Sequence, residues 1–248
     1  MQTVLFYGVP QGCSFGAIVA LEWLQQPYYL SRVEMLDQPW DSRFGALNPL
    51  YKTPSLLVVN DAPDGNRYQV INESLAILLH IASRDLVRNP QFSQGSEDYD
   101  ALNQMLSYLV TDFFAAFAPL WTAYEMGDAD PKVKAVLREV GTNEVVRCCE
   151  YLDRLLADQQ WLLGRAGRSV ADAYLAGIAR WIDYHQLFDV EKAYPSLHFH
   201  LQELQRDPAV RLATAIEKNE FIVSGSTFKG HLTLDDLNIQ SFNNRKSA

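Results

Sequence analysis

The period of the apolar positions changes about a third of the way along the chain. Thr3–Tyr7 is a short run of β-branched, apolar and aromatic residues stopped by Gly8, Pro10 and Gly12, the pattern of a buried strand ending in a turn. From Ser14 to about Gln26, Ile18, Leu21 and Leu24, with Ala17 and Ala20, recur at helical spacing, and Pro27 closes the segment. Residues 28–36 read as a second strand, so the opening is a β-α-β unit with parallel strands. Ser55–Asn60 is a third strand, and Asp64-Gly65 is a hairpin signal before a fourth near Tyr68–Ile71. Asn72 is placed to cap a helix through Leu75, Leu78, Leu79 and Ile81 to about Ser83.

Beyond Leu86–Ser96, a stretch rich in Asn, Pro, Gln, Ser and Gly, the pattern is helical throughout. Leu102, Met105, Leu106, Leu109, Phe113 and Phe117 form one apolar stripe, and later helices fit Pro131–Leu156, Val170–Gln186 and Ser196–Arg206. From Phe221 the periodicity is lost, apart from a short helical turn near Leu234–Leu237. The expected organisation is therefore an α/β domain over 1–85, a linker over 86–96, an all-α helical domain over 97–220 and a C-terminal tail over 221–248.

Composition narrows the partners. The chain has 248 residues, with 21 Lys+Arg against 30 Asp+Glu and a net charge of −9. An acidic chain has no general attraction to phosphate backbones or anionic lipid, which argues against nucleic acid and membrane surfaces as partners. No run approaches the roughly 18 apolar residues of a membrane span. The first charged residue is Glu22, but a signal peptide would carry a basic start and an unbroken apolar run, and neither is present. Cys13, Cys148 and Cys149 make no disulfide framework, and free thiols fit a cytoplasmic location.

Candidate chemistry is concentrated at three places. Cys13 follows a strand and a glycine turn at the start of a helix, where orphan N–H groups and the helix dipole would lower a thiol pKa. Ser14 beside it and Tyr7 at the end of the first strand are further donors; a small buried residue filling the junction is the bland alternative. Gly16 stands three residues after Cys13, so a dithiol redox site is excluded. Pro54, before the third strand and able to adopt the cis form, would leave the backbone of Thr53 free to hold a peptide-like ligand as an added strand. An ordinary strand-entry proline is the simpler alternative. Glu73-Ser74 at a helix start would suit an α-amino acid head group, the carboxylate on free N–H groups and the ammonium on Glu73; a routine cap is the alternative.

Other motifs are structural on this reading. Ser169-Val-Ala-Asp172 is a capping box, Cys148 and Cys149 pack mid-helix, and His198 and His200 lie on a solvated helix face. There is no phosphate loop, nucleophile elbow or zinc motif, and no metal is expected.

The order of these elements resembles the cytosolic glutathione S-transferases, most closely the cysteine-bearing bacterial beta class. The resemblance runs from about Thr3 to Leu212. Phe6-Tyr7, Gly12-Cys13-Ser14, Asn48-Pro49, Lys52-Thr53-Pro54, Asn72-Glu73-Ser74 and Phe117-Ala118-Pro119-Leu120 carry it through the first half. Trp161-Leu162-Leu163-Gly164, Ser169–Leu175 and Asp207-Pro208-Ala209-Val210 continue it. It implies a thioredoxin-like N-terminal domain, an all-helical C-terminal domain and a homodimer. By the same resemblance Thr53, beside a cis Pro54, would bind the glutathione backbone. Glu73 and Ser74 would hold its γ-glutamyl head, and Cys13 would face its sulfur. Phe114 and Ala115 stand where the beta class has a His-Lys pair, Ser107 stands for its Asn, and the loop before Cys13 is one residue longer.

The expected function is a detoxifying transferase that joins the glutathione thiol to a small hydrophobic electrophile. Glutathione is the co-substrate, Cys13, Ser14 and Tyr7 are the candidate donors, and Phe113, Phe114, Phe117 and Trp121 carry the apolar body of the electrophile. Two alternatives accompany it. One is thiol–disulfide exchange through Cys13. The other is a non-catalytic binding module, suggested by the replaced His-Lys pair and the tail.

Overall fold

The computed structural model describes residues 2–60, 67–84, 92–128, 130–222, 225 and 227–237. Five strands, β1 Gln2–Val9, β2 Tyr28–Glu34, β3 Ser55–Asn60, β4 Arg67–Asn72 and β5 Phe228–His231, form one sheet in the order β4-β3-β1-β2-β5. The helices are α1 Phe15–Trp23, α2 Phe44–Leu47, α3 Ser74–Ser83, α4 Glu97–Tyr108, α5 Ala118–Glu125, α6 Pro131–Leu156, α7 Val170–Ile178, α8 Arg180–Tyr184, α9 Val190–Ala193, α10 Pro195–Arg206 and α11 Pro208–Glu217. The chain divides into two compact units, 1–85 with 208–248, and 86–207.

In the first unit β1 and β2 are parallel, as the β-α-β reading expects, while β3 and β4 run antiparallel. Alternation along the strands feeds two apolar layers. Val4 and Phe6 pack with Leu57, Val59, Phe44 and Leu47 on one face of the sheet. Leu5, Tyr7, Leu56 and Val58 are buried on the other, and α1 packs on α3 and α11. Strands buried on both faces read as continuous apolar runs, which is why they were visible in the sequence. The Asp64-Gly65 turn lies outside the described residues.

Three expectations need correction. The stretch after Phe221 is not simply a tail: β5 pairs in parallel with β2, and α11 belongs to the sheet unit rather than to the helical one. Four residues are too few to show a period, so β5 left no signal. Asn72 closes β4, and Glu73, at φ 74°, is the residue that starts α3. His200 is not solvated. It shares the buried stripe of Leu197 and Leu204, spaced three and four residues either side, and its Nδ1 is 2.9 Å from the Gln160 carbonyl oxygen.

The second unit is helical, with a π-helical segment Leu109–Phe114 between α4 and α5. Contrary to the expectation that no run approaches a membrane span, the stretch Glu97–Glu125 is long and apolar enough, by length and composition, to cross a membrane; core helices pass the same test. Leu102, Leu106, Leu109, Phe113 and Phe117 from this stretch are buried within the protein. Ser169 and Asp172 form the expected capping box, and Asp172 also accepts the Leu162 N–H at 3.0 Å. Cys148 and Cys149 are buried along α6.

Candidate active site

The candidate site lies in the sheet unit, where the end of β1, the entry to β3 and the start of α3 meet. Two glycines make the β1–α1 turn possible. A Cβ on Gly8 would stand 2.3 Å from Thr53 Oγ1, and one on Gly12 2.3 Å from the Gly8 carbonyl oxygen. Ser14, the N-cap of α1, is fully buried and its hydroxyl accepts the Gly8 N–H at 3.1 Å, closing the turn. Cys13 is thereby held at the rim of the turn, partly exposed, with Sγ–H donated to the Thr53 carbonyl at 3.3 Å.

The loop carrying Thr53 is fixed from below. Buried Asn48 donates Nδ2–H to the Lys52 carbonyl at 2.8 Å and accepts the Leu50 N–H on Oδ1 at 3.0 Å. The Thr53-Pro54 bond is cis. Asn72 donates to the Leu47 carbonyl at 3.2 Å, which ties the start of α3 to the same loop region. Glu73 then turns through the left-handed region, a conformation that costs a non-glycine residue on the order of 1 kcal/mol or more. It leaves the Glu73 side chain exposed and delivers the Ser74 hydroxyl to the Cys13 sulfur.

Electrostatics reverse one expectation. Burial pushes the Cys13 thiol above its ordinary range; the Glu73 and Glu217 carboxylates add to the rise, while hydrogen bonds from the Ser74 hydroxyl and the Cys13 backbone oppose it. The helix dipole does not win because Cys13 precedes the N-cap Ser14 and so lies outside the first turn of α1. The thiol is protonated at neutral pH.

The structure thus brings together Cys13, Thr53, Pro54, Glu73 and Ser74. It gives Ser14 and Tyr7 other partners. Tyr7 is buried, alternates with Gly8 along β1, and has its hydroxyl 3.0 Å from His231 Nε2 of β5. Burial raises its pKa despite the neighbouring Arg32. Among the aromatic residues of the helical unit, Phe113 and Phe117 are core, whereas Phe114 and Trp121 are half-buried, each ring within 5.4 Å of Trp181. Among the described residues no group of three His, Cys, Asp or Glu side chains could hold a metal ion. The sequence pattern gives no role to Glu217, and none to Asn48 beyond its place in a motif. The Asn-Pro pair was a signal for Asn48, and nothing in the pattern marked His231.

Comparison with known proteins finds similarity to glutathione transferases. Residues 12–84 match the family model described as glutathione S-transferase, N-terminal domain. A glutathione transferase from Methylococcus capsulatus str. Bath is 26 % identical with a TM-score of 0.71, covering 88 % of this chain and 99 % of its own. A sphingomonad glutathione S-transferase complexed with glutathione is 26 % identical with a TM-score of 0.70, covering 87 % and 98 %. A bacterial beta class enzyme from Sphingomonas chungbukensis, at 24 % identity and a TM-score of 0.69 over 86 % and 98 %, shows the shared fold. No curated protein sequence matches the chain.

Proposed function

We propose that this chain, which carries a glutathione S-transferase N-terminal domain on the fold of that family, binds glutathione and joins its thiol to a small hydrophobic electrophile. The observation that carries the reading is the convergence of Cys13, the Thr53 carbonyl and Ser74 beside the cis Thr53-Pro54 bond. Glutathione pairs its cysteinyl main chain with Thr53 as an added strand. Its γ-glutamyl carboxylate takes the N–H groups and hydroxyl at the start of α3, and its ammonium takes Glu73. The family member complexed with glutathione supports the ligand.

Cys13 then acts as a donor. Thr53 O is the acceptor that the ligand's cysteinyl N–H needs, so binding frees the Cys13 S–H to point at the glutathione sulfur and stabilise it as thiolate. The thiolate, having lost its proton to solvent, attacks the electrophilic carbon; a C–S bond forms and the leaving group departs with the displaced electron pair. A protonated Cys13 disfavours the exchange reading, since an unperturbed thiol near 8.5 is only about 3 % thiolate at pH 7 and a raised one less. We further place the protein in the cytoplasm as a homodimer, on its free cysteines and the habit of the family.

The test is turnover with glutathione across panels of hydrophobic electrophiles and of disulfides. Conjugation that falls severalfold but survives in Cys13→Ala, with no disulfide reduction, supports the donor role. Disulfide reduction abolished by Cys13→Ala would replace it with the exchange reading, and binding without turnover would leave a binding module.

A further inference from the structure

Beyond α11 the chain returns to the sheet and covers the outer edge of β2. The Tyr28 N–H donates to the Thr227 carbonyl at 3.0 Å and the Leu232 N–H to the Leu30 carbonyl at 2.8 Å. Side chains fasten the segment on both faces of the sheet. Phe228 is buried, its ring centroid 5.7 Å from that of Tyr28, and His231 takes the Tyr7 hydroxyl. On the other face Leu232, Leu234 and Leu237 pack with Phe6, Trp40 and Phe44. Asp235 pairs with Arg43, and Asp236 accepts from both the N–H and the hydroxyl of Thr233 to close the turn. The cluster of Cys13, Thr53 and Ser74 uses none of these groups.

The edge so covered has little protection of its own. β2 reads Tyr-Tyr-Leu-Ser-Arg-Val-Glu, with no proline or lysine, and its two charges, Arg32 and Glu34, pair with each other. An edge with no net charge and two tyrosines, beside an apolar shelf, is a template for another strand. We propose that residues 227–237 guard this edge, and that their docking keeps β2 from pairing with the β2 edge of a second copy of this chain. The edge has already shown that it accepts a strand, and a second copy offers more than β5 does. β5 supplies four residues, whereas an antiparallel β2–β2 pair centred on Ser31 aligns all seven residues with their copies. That contact is isologous, so two sheets join into one across a twofold axis. It is separate from any homodimer that the transferase reading brings with it.

Two full-length variants test the guard, Phe228→Ser and Leu234→Asp, each away from the candidate active site. The readouts are amide exchange at Tyr28 and mass by light scattering over about a hundredfold range of concentration. Both variants should exchange the Tyr28 amide about tenfold faster or more when dilute, and should grow in mass with concentration, whereas the natural chain keeps one size. Far-UV circular dichroism and glutathione binding should stay unchanged, which separates release of the guard from unfolding. Fast exchange at Tyr28 with the natural mass at every concentration would overturn the proposal. Continued protection of Tyr28 at the natural mass would overturn it equally, because the segment would then not be what shields the edge.

Discussion

The surroundings of Cys13 favour the thiol over the thiolate, and this bears on which chemistry the site supports. Burial outweighs the Ser74 hydroxyl, so the side chain gives a hydrogen bond rather than attacking. Its alkylation by a neutral reagent should therefore be slow at pH 7 and rise through and beyond pH 9, the sign expected when the folded protein raises the pKa. Ser74→Ala removes a group that stabilises the thiolate, so the midpoint of that pH profile should move further up. An unmoved or lowered midpoint would show that Ser74 does not reach the sulfur. Tyr7 provides the contrasting case. Its hydroxyl is spent on His231, so Tyr7→Phe should cost stability by about 1 kcal/mol in denaturant unfolding while leaving glutathione affinity within about twofold. A tenfold loss of affinity would return Tyr7 to the site.

At the scale of elements, the parts that carry the site are loops and helix starts held by a few polar side chains. Asn48 satisfies two backbone groups of the loop before Thr53, so Asn48→Ala should destabilise the protein by about 1–3 kcal/mol and weaken glutathione binding with it. Ser169→Ala removes one cap from α7, far from that loop in sequence, and should cost about 1 kcal/mol without changing affinity. Thermal or denaturant unfolding together with a binding isotherm distinguishes the two: loss of affinity in both, or in neither, would contradict the separation.

For the whole molecule, the sequence was informative wherever one physical pattern dominated. Strands buried on both faces showed as apolar runs, and α6 could be bounded as Pro131–Leu156 from period and proline alone. Of the site, Cys13, Thr53, Glu73 and Ser74 could be named because glycine, proline and capping chemistry mark the turns that bring them together. What stayed hidden depends on contacts distant in sequence. β5 is too short for a period, and its partners in β1 and β2 lie about two hundred residues away. The desolvation of the Cys13 thiol, which reverses the shift expected from the helix dipole, is set by packing rather than by its neighbours in the chain. His200, expected on a solvated face because the His pair makes a poor metal site, lies by helical spacing on the buried stripe of Leu197 and Leu204.

The transferase reading stands on a glutathione site formed by the α3 start and the Thr53 backbone. Calorimetric titration of the reduced natural protein and of Glu73→Ala with glutathione tests it most directly. The natural chain should bind with a dissociation constant between sub-millimolar and low-millimolar, and the variant about tenfold or more weaker, the loss of about 1.4 kcal/mol expected when the ammonium loses its partner. No binding to the natural protein, or equal binding to both, would contradict it.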